Sequence, residues 1–228
     1  MKSIADMYGR TLVIAPHPDD EVLGAGGTIA RLAGAGNEVY IAVVTEGKPP
    51  VYSREAVSRV QDEAREAHKI LGVKETFWLG LPAASLTETP HSELNAALLT
   101  LVSKLRPKTL LVPFVGDIHV DHQLIFTSAL VASRPHHEGY PELILAYETL
   151  SETNWNAPYL TPHFMPNVFV DITTEIDRKL EAMKCFSSQL REAPHERSIA
   201  TLKALATLRG ATVLRSAAEA FVLVRHVL

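Results

Sequence analysis

Cysteine is nearly absent from this chain of 228 residues. The single Cys185 excludes an intrachain disulfide framework and a thiolate zinc cluster, suits a reducing compartment, and is expected as a buried, inert thiol. An excess of one charge is missing too, since 22 Lys and Arg face 26 Asp and Glu, a formal net charge of −4 without a block of like sign. That leaves no electrostatic footprint for a nucleic-acid partner and favours a small, uncharged or mildly polar ligand. No apolar run reaches the roughly 18 residues needed to cross a bilayer, and the opening MKSIADMYGR lacks the apolar stretch of a secretory signal. No membrane span and a cytoplasmic location are the expectations. Internal repeats and low-complexity linkers are also absent.

What is present is apolar material, 46% of the residues, enough for one globular domain with a substantial core. Short runs rich in Val, Ile and Leu at Thr11–Ala15, Val39–Thr45, Thr109–Phe114, Glu142–Tyr147 and Val168–Ile172 read as buried strands. Between them, Val22–Ala35 ends at Gly36, Ala56–Leu71 ends at Gly72, Ser92–Leu105 stops before Pro107 and Leu124–Ser133 stops before Pro135, as helices do. The alternation predicts an α/β fold, a Rossmann-like, mostly parallel sheet with helices on both faces and its ligand site at the carboxyl ends of the strands. Residues 1–228 are expected as a single domain. In it, 151–228 form a pocket-shaping C-terminal segment with a loop rich in Pro, Asn and Trp, helices at Thr174–Leu190 and Ser198–Arg209, and an apolar stretch at Phe221–Leu228.

Two clusters carry chemistry. After the first strand, Ala15-Pro16-His17-Pro18-Asp19-Asp20-Glu21 puts one imidazole and three carboxylates into five positions. Carboxylates this close repel one another, and a divalent cation gives a physical reason for the crowding. A helix N-cap by Asp19 or Asp20 is the plainer alternative, and it leaves His17 unexplained. After the strand Thr109–Phe114 comes Gly116-Asp117-Ile118-His119-Val120-Asp121-His122, again at a carboxyl end, so the two loops can converge on one cleft. Catalytic zinc takes three nitrogen and oxygen ligands and keeps a fourth position open, a count that His17, Asp20 and His122 satisfy.

Together the two stretches resemble the LmbE/PIG-L family of N-acetylglucosaminyl deacetylases, whose motifs A-H-P-D-D-E and H-x-D-H match A-P-H-P-D-D-E and H-V-D-H here. The similarity extends to Gly24–Thr28, Thr45-Glu46-Gly47, Glu63 with Ala67 before Leu71-Gly72-Val73, and Ala218-Glu219-Ala220-Phe221, and so covers nearly the whole chain. Pro166-Asn167 with Val170-Asp171-Ile172, and Pro194-His195 with Arg197-Ser198, look like the family's bacterial branch. The resemblance implies one Zn2+ per chain held by His17, Asp20 and His122, with other divalent transition metals able to replace it. It also implies Asp19 as general base for water, a protonated His119 as partner of the oxyanion, and Asp121 orienting His119. An N-acetylated sugar or conjugate is the implied substrate, and a homo-oligomer, trimer or hexamer, the implied assembly.

Two departures stand out. Val120 replaces a proline common in the second motif. The arginine that often precedes the glutamate matching Glu63 is shifted from position 60 to Arg59, which still shares a helix face with Glu63, either to touch substrate or to form an exposed ion pair. Asp117 can bond a sugar hydroxyl or cap its turn, and His195 can reach a substrate in its own or a neighbouring subunit or simply begin a helix. His136 and His137 read as a solvated pair, and Trp78, Tyr147 and Trp155 as stacking surfaces or packing. Two rivals from other classes remain. A Rossmann-type nucleotide-binding protein is suggested by Gly24-Ala25-Gly26-Gly27, but the full fingerprint is absent and the acids at 17–21 would repel a pyrophosphate. A non-catalytic sugar-binding homologue would normally have lost a ligand or the base, and all four are present here.

Overall fold

The computed structural model describes residues 4–136 and 138–228. In β1 (Thr11–Ala15), Leu12 and Ile14 face one core and Val13 and Ala15 another, and all five residues are buried. A strand with two apolar faces must be covered on both sides, which is how a parallel sheet sits in an α/β protein. In chain order the elements are α1 (Ile4–Tyr8), β1, α2 (Asp20–Gly34), β2 (Val39–Glu46), α3 (Arg54–Leu71), β3 (Glu75–Pro82), α4 (His91–Leu105), β4 (Thr109–Pro113), α5 (Val120–Ala132), β5 (Leu143–Tyr147), β6 (Val168–Asp171), α6 (Ile176–Cys185), α7 (Ile199–Thr212) and β7 (Ala218–His226).

The seven strands lie in the order β3-β2-β1-β4-β5-β7-β6. The first five are parallel, while β7 runs antiparallel between β5 and β6. One core unites Val13, Ile41, Leu111 and Leu145 with residues of α2, α3, α6 and α7; the other unites Leu12, Ile14, Leu110 and Val112 with Leu94, Leu98 and Val102 of α4 and Ile125 and Ala129 of α5. Strand order reverses at β1, which pairs with β2 on one side and β4 on the other. The loops leaving the carboxyl ends of β1 and β4 therefore open a cleft between them, the usual ligand position in such sheets.

Four elements differ from the expectation, the first being the short α1, in a stretch where no helix was expected. β3 escapes the sequence pattern because its run carries Gly80 and Pro82, and as an edge strand it is half-exposed along most of its length, without clean alternation. The helix expected to reach Leu190 stops at Cys185, because Ser187 Oγ and Ser188 N and Oγ donate to the Glu63 carboxylate instead of continuing the turn. The last apolar stretch is the end of the longer strand β7, which begins at Ala218 and brings Glu219 beneath α2. There the buried carboxylate accepts from Gly27 N (2.9 Å), Thr28 N (2.7 Å) and Lys179 Nζ (2.6 Å).

The glycines of α2 are explained by packing. A Cβ on Gly24 would lie 2.3 Å from Cδ2 of Tyr147, and one on Gly27 would lie 2.7 Å from Cδ1 of Ile172. Their close approach seats α2 directly on the sheet. No described helix is long and apolar enough to cross a membrane.

Candidate metal centre and active-site cleft

Beyond Ala15 the chain turns sharply at Pro16, whose carbonyl accepts from both Thr45 N (3.0 Å) and Thr45 Oγ1 (2.8 Å). This pins the loop to the end of β2. Asp20, the first residue of α2, folds back so that its Oδ2 accepts from His17 N at 2.8 Å and lies 3.2 Å from His17 Nδ1. The same oxygen is 3.2 Å from His122 Nε2 on the first turn of α5. One ligand atom from each of His17, Asp20 and His122 lies within 4.8 Å of the others, so these residues could hold a metal ion together.

The nitrogen of His122 tests the fit. Nε2 is buried and lacks a hydrogen bond of acceptable geometry although Asp20 is near, and a buried unpaired polar atom is costly. Two imidazole nitrogens and one carboxylate oxygen also form the donor set of catalytic zinc. Each histidine is backed by a second carboxylate. His122 Nδ1 meets Asp117 Oδ2 at 2.8 Å, and His17 Nε2 meets Asp121 Oδ2 at 3.2 Å. Such partners fix the tautomer and raise ligand basicity.

The carboxylates around them make both imidazoles more basic. Burial opposes the charge on His17, but hydrogen bonds to Asp121 and Asp20 raise its pKa to about 9. Burial likewise opposes His122, and the Asp20 charge and the bond to Asp117 raise it to about 10. Asp20, despite its burial, is held well below the ordinary carboxylate range by those two imidazoles. Asp19 goes the other way. Burial and the adjacent Asp20 push its carboxyl well up, against the pull of Arg197, whose Nη1 donates to Asp19 Oδ2 at 3.2 Å.

His119 caps α5, its Nδ1 accepting from Asp121 N at 3.1 Å. The proton of the neutral ring is then on Nε2. Burial and the charge on His17 hold His119 below its ordinary value. Asp121 does not take its expected place, for its carboxylate is 4.0 Å from His119 Nδ1 and bonds His17 and Ala84 N instead.

The centre opens into a cavity of about 530 Å3 lined by His17, Asp19, His119, Tyr52 and Arg59, with Glu152, Ser188, Gln189 and Arg197 contributed by the C-terminal segment. A larger groove of about 700 Å3 on the outer side of α3 contains neither motif. Cys185 borders that groove and is half-buried, not the fully buried thiol expected.

Arg59 lines the cavity and makes no ion pair with Glu63, which is committed to Ser187 and Ser188. Of two other expected substrate contacts, the structure contradicts Asp117 and, for His195, only the reading within its own subunit. Asp117 is fully buried, with one oxygen on His122 and the other accepting from Thr153 Oγ1 at 2.6 Å, and it does not line the cavity. His195 is exposed, stands outside the cavity lining and uses Nδ1 to accept from Arg197 N. Tyr147 is buried with its hydroxyl on Ile14 O, Trp155 is on the surface with Nε1 donating to Glu196, and Trp78 packs beneath Arg65; none faces the cavity, whereas Tyr52 does. His136 is exposed and His137 lies outside the described residues. Sequence reasoning assigned no role to Arg197, Glu152, Ser188 or Gln189, and gave Glu21 none beyond its place in the first motif. Of the four from the C-terminal segment, Arg197 had a signal, its place beside Ser198 in a helix-starting turn.

The family model PIG-L, described as GlcNAc-PI de-N-acetylase, matches residues 12–133, more than half of the chain and both motifs. The chain belongs to this family. Membership places it among hydrolytic N-deacetylases. The diacetylchitobiose deacetylase of Thermococcus kodakarensis is 30% identical over 210 residues, covering 80% of this chain and 71% of that protein. An uncharacterized deacetylase of Escherichia coli, YaiS, is 31% identical over 188 residues, covering 80% and 92%. Among solved structures, the N,N'-diacetylchitobiose deacetylase of Pyrococcus horikoshii, complexed with its inhibitor MPG, superposes with a TM-score of 0.78 at 25% identity, covering 96% of this chain and 85% of that one. The family match stops short of β5, so Glu152, Ser188, Gln189 and Arg197 stand on the geometry of this chain.

Proposed function

We propose that this protein is a zinc-dependent deacetylase that hydrolyses the N-acetyl group of an N-acetylglucosamine-type sugar or conjugate. The observation that carries the reading is the placement of Asp19 between His17 and Asp20, its carboxylate facing the same cavity as His119. His17, Asp20 and His122 would hold the metal, which when bound supplies Lewis acidity toward the amide carbonyl and toward water. Asp19, held by Arg197, accepts the proton of the attacking water and returns it to the amine as the carbon–nitrogen bond breaks. The Nε2–H of His119 donates to the oxygen that becomes negative at the tetrahedral carbon. Asp121 and Asp117 steady the two imidazole ligands. The cavity has the size of small-molecule sites, and Tyr52 and Arg59 offer a sugar one aromatic face and one cation.

The test is amine release from a panel of N-acetylglucosamine derivatives by the zinc-loaded chain, with Asp19→Ala in parallel. Turnover should fall by about 10² to 10⁴-fold in the variant while zinc is retained. Loss of zinc in the variant, or turnover equal to the parent, would refute the assignment of Asp19.

A homo-oligomer, trimer or hexamer, and a cytoplasmic location belong to the same reading. Exposed Tyr159, Leu160 and Met165 support assembly, being large apolar side chains that a monomer leaves in water. Light scattering behind a sizing column should give the mass of three or six chains, and a monomer would contradict it.

A further inference from the structure

Beyond the metal ligands and the base, a chain of buried polar groups runs from the catalytic turn to the edge of the sheet, and the chemistry above uses none of it. Asp19 has φ of +116°, outside the range comfortable for a residue with a side chain. Its N–H donates to Glu21 Oε2 at 3.2 Å. Glu21 is fully buried, and its other oxygen meets Nε2 of His68 at 2.9 Å. His68, buried near the end of α3, meets Thr76 Oγ1 of β3 through Nδ1 at 2.8 Å.

We propose that His68 is a positioning residue for the general base, holding Glu21 so that its carboxylate keeps the Asp19 backbone in the left-handed turn that aims the Asp19 side chain into the cavity. The inference rests on the reading of Asp19 as base. The directions of the bonds fit the task. The Glu21 carboxyl oxygens accept one hydrogen bond from Asp19 N and one from His68 Nε2, and the Thr76 hydroxyl can donate to the remaining ring nitrogen. A buried carboxylate without such donors would be costly, and a Glu21 side chain free to rotate would release the turn. The same helix presents Ala56, Val57, Arg59 and Val60 to the cavity, so α3 bounds the substrate space at one end and anchors the base at the other.

The experiment pairs His68→Leu with His68→Gln, whose amide nitrogen can replace Nε2 as donor to Glu21. In the zinc-loaded chain, His68→Leu should lower kcat by about ten- to a hundredfold, as misplacement of a reacting group does. Zinc content and KM should hardly change, and amide exchange at Asp19, followed by NMR, should accelerate. His68→Gln should restore both kcat and protection. Unchanged kcat, unchanged protection of the Asp19 amide, or an effect confined to KM would overturn the proposal. If His68→Leu does not fold, the half-buried Thr76→Val decides by the same two readouts, with a smaller loss of kcat and faster exchange expected and no change in either refuting it. Should the unaltered chain release no amine from any sugar, the deacetylase reading fails by itself and the exchange measurement still judges the anchor.

Discussion

Each candidate imidazole ligand has a carboxylate behind it. His122 is buried and owes its orientation to Asp117, which no solvent reaches. Asp117→Asn should weaken zinc binding by about 10- to 100-fold, the usual cost of losing such a partner. Competition with a chelator of known affinity measures it, and affinity equal to the parent would show that the contact does not tune the metal. The cluster was legible because carboxylates crowded this densely beside histidine repel one another unless a cation neutralises them. Which carboxylate serves which ring was not legible, since Asp121 adjoins His122 in sequence and yet bonds His17, 104 positions away.

Helix placement decides whether the first motif meets the second. α2 carries Asp20 in its first turn and lies on the sheet through Gly24, where an added Cβ would strike both the Tyr147 ring and the Glu148 carbonyl. Gly24→Ala should therefore destabilise the fold by about 1–3 kcal/mol, as overpacking does. Urea unfolding reads this, and an unchanged midpoint would mean that α2 can shift at no cost. β1, β4 and α2 were foreseeable because buried apolar runs and glycine or proline stops mark their ends. β3 was not, because an edge strand is specified by a neighbour to pair with more than by its own alternation. The shortened α6 has a similar cause: Ser187 and Ser188 leave the helix for Glu63, a partner on α3 that no local pattern announces.

For the molecule as a whole, protons and metal compete for one site. The carboxylates around them push His17 up to about 9 and His122 up to about 10, above the ordinary 6.5, so their contribution to stability is complete below about pH 6.5 and is lost as pH rises through those values. Metal binding expels the same protons. The melting temperature of the chelated protein should fall between pH 7 and pH 10, and the added stability from excess zinc should grow over that interval. A zinc increment independent of pH would place the metal elsewhere. The mostly parallel α/β architecture, the two motif loops and the candidate ligand set were legible in the sequence, because strand hydrophobicity, helix stops and metal-binding side chains are local properties. It takes the folded chain to show that Arg197 reaches Asp19 from 178 positions away, that Glu152, Ser188 and Gln189 line the cavity, and that Asp117 is fully buried. Those facts follow from where β7 and the C-terminal loops pack against the strand ends, and such packing is set by the whole chain.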